Sequence, residues 1–273
     1  MKKISKLLFL VVTTSTILFS CTPEEIAEKT TDPVAASITI DAANAFDLQT
    51  GIQINSTENT SSQKRADAPT TCAVISVFNS NSYPKVVTVD YGSGCKIGLI
   101  TRKGKLKITF SAPITETGSI MTIKRINYSI NGMKLEGEID YENSTTDPTV
   151  PKWTRTVTDG KFTNTNGKVF TNSGSCTIEQ SGGVSTPFLL SDNVYEMTAG
   201  EHVVTNEAGS TLTLTVIETL VKKYSCDFIS KGKLQIVGGI LNGVINYGTD
   251  ADACDNDYTY THQDGVVYEL KMY

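Results

Sequence analysis

The chain has 273 residues and a formal net charge of −5, with 24 basic and 29 acidic side chains. This acidic balance argues against a nucleic-acid partner, because phosphate contacts need clustered Lys and Arg. The longest basic run, residues 102–107, has strand-like spacing and is interpreted as a solvated face.

Residues 1–20 are predicted to be a lipoprotein signal peptide. Three lysines precede an apolar segment, residues 7–18, which rises only about 18 Å as a helix and is too short to span a membrane. The tetrapeptide LFSC that follows resembles a bacterial lipobox, and this resemblance implies lipidation of Cys21. Two or more acyl chains would give stable anchoring; the alternative is an ordinary cleaved signal with an incidental cysteine.

The segment directly after Cys21, TPEEIAEK, is acidic. It resembles the signals that send Bacteroidota-type lipoproteins to the outer face of the outer membrane. We therefore expect a lipid-anchored protein at the cell surface, with the periplasmic face as the alternative. Without residues 1–20 the chain keeps 21 basic and 29 acidic side chains, a net charge of −8.

Residues 21–70 are predicted to be a disordered N-terminal tether. They are rich in Thr, Ser, Asn and Glu, and residues 55–71 have almost no apolar side chains. One weakly amphipathic stretch, residues 41–48, indicates a short helix within the tether.

Residues 71–273 are predicted to form an all-β domain. Apolar and polar residues alternate with a period of two, and Val, Ile, Thr and Tyr are frequent. Asn131-Gly132 is the strongest hairpin signal, and further turn signals lie at residues 159–160, 166–167, 208–209, 238–243 and 264–265. The pattern favours an antiparallel meander of about 10–14 strands, as a barrel, a sandwich or a large curved sheet. Prolines near residues 144–152 mark either a subdivision of this domain or a long loop.

Cys72 and Cys95 are predicted to close one hairpin with a disulfide. If they face one another, the hairpin midpoint falls between Tyr83 and Pro84, inside a polar stretch. Opposed Cα atoms in an antiparallel ladder lie within disulfide range, and such a bridge stabilises by about 3 kcal/mol.

A second hairpin repeats this arrangement with Cys226 and Cys254. Its midpoint is residue 240, beside Gly238-Gly239 and Asn242-Gly243. Cys176 is left unpaired, and is either buried and inert or linked to another chain.

Several short motifs resemble those of an uncharacterised group of Bacteroidota lipoproteins. They are D-[FY]-G-x-G-C at residues 90–95, R-x-G-K at 102–105, N-G at 131–132 with E-G at 136–137, and Y-G…C-D-N at 247–256. The resemblance implies an all-β exported lipoprotein and brings no activity with it.

The sequence DADACDND has the acid density of a calcium loop. Its candidate ligands are Asp250, Asp252, Asp255 and Asp257. The EF-hand template fails because Asp255 stands where it requires glycine. An irregular Ca²⁺ site and a solvated acidic turn are the two interpretations, and no other cofactor is predicted.

Trp153, Tyr258 and Tyr260 are candidate stacking platforms for sugars, with burial in the β core as the alternative. Four acidic residues at alternate positions of residues 136–142 share one strand face. A pair of them for glycoside hydrolysis is one interpretation and a solvated face is the other. No catalytic residue is assigned, because neither a nucleophile elbow nor a zinc-ligand spacing is present.

The expected function is a surface-exposed, lipid-anchored binding or interaction lipoprotein whose partner is a glycan or another envelope protein. One alternative is a glycan-directed hydrolase. The other is a fimbrial or assembly subunit, in which trimming at Lys64-Arg65 would expose a sheet edge.

Overall fold

The computed structural model describes residues 23–58, 72–79, 81–186 and 189–272, and side chains of the N-terminal helix from residue 32 to residue 55. The predicted lipidation site, Cys21, lies outside these ranges. The helix is α1 (Pro23–Glu58). The strands are β1 (Val74–Phe78), β2 (Lys85–Asp90), β3 (Cys95–Ile97), β4 (Ile100–Phe110), β5 (Ile120–Ile130), β6 (Met133–Asn143), β7 (Lys152–Thr163), β8 (Val169–Gly182), β9 (Val194–Asn206), β10 (Thr211–Lys223), β11 (Lys231–Val237), β12 (Gly243–Asn246), β13 (Asp257–His262) and β14 (Val267–Lys271).

All the strands belong to one antiparallel sheet. Its order is β1-β2-β4-β5-β6-β7-β8-β9-β10-β11-β12-β13-β14, and β3 pairs with β4 beside the end of β2. The predicted all-β meander is therefore confirmed, and the described residues form 14 strands in an open sheet. β6 and β7 pair directly with each other, so the proline-containing segment near residues 144–152 is a loop between neighbours.

The predicted hairpin signals do not all form turns in the structure. Asn131 and Gly132 form the two-residue turn between β5 and β6, with φ values of 49° and 84°, as a type I′ turn requires. Asp159-Gly160 does not turn the chain, because it lies inside β7 where the register with β6 and β8 shifts. Asp159 has a φ of 50° there, so this signal marks a β-bulge.

Both predicted disulfides are present. Cys72 bonds to Cys95 and Cys226 bonds to Cys254, with Cα–Cα distances of 5.5 and 5.6 Å. The two hairpins beside them, β1–β2 and β11–β12, have turns within one or two residues of the predicted midpoints. Each bridge therefore lies near the open end of one hairpin.

Helix α1 overturns the tether prediction over the part whose side chains are described. Nearly every side chain from Val34 to Ile54 is buried or half-buried, on all faces of the helix. The short helix predicted at residues 41–48 is the middle of this longer element. Because α1 is covered on all sides and bonds to strands from β4 to β9, the sheet curves around it.

Asp47 fastens the helix to the sheet. One carboxylate oxygen accepts hydrogen bonds from Arg102 of β4 (2.8 Å) and from the Tyr128 hydroxyl (2.9 Å). The other accepts from Nε of Arg125 on β5 (2.8 Å). Asp47 is fully buried and Arg102 nearly so. The prediction that residues 102–107 form a solvated face is therefore wrong for Arg102, which points inward while its lysine neighbours point out.

A second buried ion pair involves Asp41, which lies one to two turns before Asp47 in α1. Arg155 of β7 donates to Asp41 at 2.9 Å, and Nδ1 of His202 on β9 lies 3.5 Å from the other Asp41 oxygen. Burial lowers the pKa of His202 below its ordinary value, which favours the neutral ring. α1 thus contributes two buried carboxylates to three buried arginines of the sheet, since Arg125 shares Asp47.

We predict that Asp47→Asn destabilises the protein by about 3–5 kcal/mol, because it leaves buried guanidinium charge without a counter-charge. The free energy of unfolding from urea denaturation measures this. The control is Asp252→Asn, which breaks an Asp–Lys pair whose aspartate is 84% exposed and should lower the free energy of unfolding far less than Asp47→Asn does. Equal losses in the two variants would contradict a specific role for Asp47.

Candidate functional site

A cleft of about 620 Å³ opens between the loop that follows β12 and strands β13 and β14. Its walls bring together three of the four candidate calcium ligands, Asp250, Asp255 and Asp257, with Tyr258. The fourth, Asp252, does not line it and pairs with Lys223. A hydrogen bond from Lys223 lowers the pKa of Asp252.

The aspartates of this cleft are engaged in local contacts. Asp250 accepts the backbone N–H of Asp252 at 2.8 Å, Asp255 accepts that of Asp257 at 3.0 Å, and Asp257 pairs with Lys271. Within the described ranges, no three His, Cys, Asp or Glu side chains converge as metal ligands. The calcium site stays a prediction without a converging ligand set, and the contacts match the solvated-turn interpretation.

The three aromatic candidates are core residues. Trp153, Tyr258 and Tyr260 are only 6%, 4% and 1% exposed. The Tyr260 hydroxyl donates to the Leu241 carbonyl at 2.9 Å, and burial raises the pKa of Tyr258 to about 12. A stacking platform needs an exposed ring face, so the structure favours the alternative interpretation, burial in the β core.

The acidic row of β6 lies on the outer face of the sheet. Leu135, Ile139 and Tyr141 point into the core, and the acidic residues alternate with them. Glu136 pairs with Lys134 at 2.9 Å in an exposed contact. These positions agree with the solvated-face interpretation of the acidic residues in 136–142.

A small cavity of about 50 Å³ lies between α1 and strands β6 to β10. Asp41, Gln49, Arg155 and Lys222 contribute its polar wall, and the rest is mostly apolar. Burial lowers the pKa of Lys222 to about 8. The space suits a few water molecules and is too small for a larger ligand.

The feature that sequence reasoning missed is the exposed position of β1, a predicted hairpin strand, at the edge of the sheet. All five of its residues are exposed, including Val74 (65%) and Phe78 (69%). Within the described ranges β1 pairs only with β2, so its other side presents unpaired backbone groups. At the same end of the sheet, Ile97 of β3 and Leu99, two residues further on, are also exposed.

The opposite edge has a different character. β14 carries Glu269 and Lys271, whose side chains alternate with half-buried Tyr268 and Leu270. Charged side chains on an edge strand discourage pairing with another chain. β1 has the sequence VISVF, without a charge or a proline. That sequence was the available signal, but a strand with two apolar faces is equally typical of a buried strand.

The comparisons with known proteins do not assign a family. No family model, no curated protein and no solved structure matches the chain. Over the described residues, no helix combines the length and apolar character that a membrane span requires. The chain's own surface is therefore the source of evidence about its function.

We predict that Cys176 is unreactive in the native protein. It is buried, and burial raises the pKa of its thiol to about 11, so little thiolate forms at neutral pH. Mass spectrometry after iodoacetamide treatment should find Cys176 unmodified under native conditions and modified in urea. The four disulfide-bonded cysteines should be modified in urea only when a reductant is also present; they are Cys72, Cys95, Cys226 and Cys254. Native alkylation of Cys176 would contradict its burial.

Proposed function

We propose that this chain is an exported, lipid-anchored interaction protein of the outer membrane that binds a partner protein by strand addition at β1. The observation that supports the proposal is the uncharged edge strand Val74–Phe78, exposed along its whole length. Its free backbone groups would bond an incoming extended segment, and its side chains would contact both faces of that segment.

The energetics favour a protein strand as the occupant. Each large apolar side chain that becomes fully buried contributes about 1.5–3 kcal/mol, and four of the five β1 residues are of this kind. A hydrophilic glycan would leave these side chains without apolar partners. Of the expected partners, an envelope protein therefore fits this edge better than a glycan.

The hydrolase alternative has less support. The acidic row of β6 on which it rested lies on the outer face of the sheet, and the aspartates of the cleft cap turns or pair with lysine. The assembly-subunit alternative is favoured by the same edge, since subunits of an assembly commonly join through exposed strands. It is a special case of the proposed function.

The anchoring part of the proposal is tested at Cys21. In cells fed labelled palmitate, the wild-type protein should be labelled and should fractionate with the outer membrane. Cys21→Ala should lose the label, because the thioether to diacylglycerol cannot form. Labelling that is unchanged in Cys21→Ala would refute the lipobox assignment.

Strand addition is tested by a photo-crosslinker, benzoylphenylalanine, placed at Phe78 in the full-length protein in intact cells. An adduct should form from this position and should be much weaker from the matched position Glu269 on the other edge. Ile75→Lys should reduce the Phe78 adduct strongly, since a charge on the edge blocks pairing. Equal adducts at both edges, or an adduct insensitive to Ile75→Lys, would count against docking at β1.

A further inference from the structure

We infer that the strand which β1 accepts is the β1 of a second copy of this chain, paired antiparallel about a two-fold axis at Ser76. The inference rests on the proposed function, because it names the partner of the same edge. It predicts one continuous sheet across two copies.

The sequence of β1 is self-complementary in this register. A two-fold axis at Ser76 places Val74 opposite Phe78 and Ile75 opposite Val77, and each Ser76 opposite its own copy. Every pair except the central one joins two large apolar side chains, and such cross-strand pairs stabilise a sheet. The smallest side chain of the strand occupies the axis, where a residue must face itself.

The faces of the strand also suit a two-fold contact. Residues of both parities are exposed, with Ile75 and Val77 at 38% and 42% and Val74 and Phe78 at 65% and 69%. Both faces of the sheet therefore carry apolar surface at this edge. A closed two-fold interface uses the same patch on each copy and covers both faces at once.

The charges discriminate between the two edges. β1 has no charged residue, so its self-pairing brings no like charges together. The equivalent two-fold pairing of β14 would place Glu269 opposite Glu269, which is destabilising. Of the two edge strands, β1 is therefore the one whose side chains favour pairing with a second copy of the same strand.

The common membrane surface adds to this preference. If both copies are lipid-anchored, as proposed, the second copy is held near the first and its effective concentration at the edge is raised. A contact of only five residues a side then needs less intrinsic affinity than it would between two proteins free in solution.

Disulfide trapping tests the register. In full-length protein in native membranes, Ser76→Cys should give a reducible dimer under mild oxidation, because opposed Cα atoms lie about 4.5–5.5 Å apart, within disulfide range. Ile75→Cys is the matched control. In the same register its copies are diagonal neighbours about 7–8 Å apart, so it should remain monomeric. Glu269→Cys on the other edge should also remain monomeric.

The outcomes separate this inference from the proposed function. A Ser76→Cys dimer that disappears when Ile75→Lys is added supports self-pairing. Equal trapping of all three cysteine variants indicates random collision and overturns it. If Ser76→Cys stays monomeric while the Phe78 crosslinker captures a different protein in an edge-dependent manner, self-pairing is wrong and strand addition stands. If neither position forms a contact, both proposals fail.

Discussion

The contact between Asp47 and two arginines is the constraint on which the fold depends. A buried carboxylate is tolerated only where it is paired and fully hydrogen-bonded. Here Arg102, Arg125 and Tyr128 together provide that pairing. Since the arginines extend from β4 and β5, the helix must lie against the concave face of these strands at one fixed height. The Asp41–Arg155 pair repeats the constraint at β7, so that α1 cannot slide or rotate without leaving a buried charge unpaired.

The curvature that surrounds the helix has its own cause in the strands. At Gly104 and Gly137, backbone from the adjoining strand approaches so closely that a Cβ would lie 2.0 or 2.7 Å from a carbonyl oxygen. Both glycines have positive φ values and lie where the strand register shifts. Bulges of this kind bend a strand and increase its twist. The β-bulges therefore let the sheet curve around α1. The buried ion pairs hold α1 in the concave space that this curvature creates.

The strands and hairpins were predictable because their signals are local. A period of two, Asn131-Gly132 and the spacing of the cysteines each report on residues close in sequence. The helix was not, because Ile38, Thr39 and Ile40 are β-branched, Pro33 lies near its start, and its stability comes from packing against the sheet. A signal did exist in the strands. Arg125 follows the inward alternation of Met121 and Ile123, and Arg155 has the same parity as Trp153 and Val157. An arginine at a core position needs a buried acid, and the segment assigned to the tether supplies Asp41 and Asp47 among its acidic residues.

The same constraint explains why the surface that we propose for recognition lies at an edge. A helix enclosed by the sheet fills the concave space, and the cavity between α1 and strands β6 to β10 is small, about 50 Å³. The interior is thus occupied by the packing and ion pairs that stabilise the fold. An open sheet must end in two edge strands, and the chain protects them unequally, with charges on β14 and none on β1. An apolar edge left unprotected favours association with another chain, and selection against aggregation would be expected to remove it unless the association were useful. The interior of this fold is used for stability, and the exposed edge at Val74–Phe78 is therefore the surface that we propose for recognition.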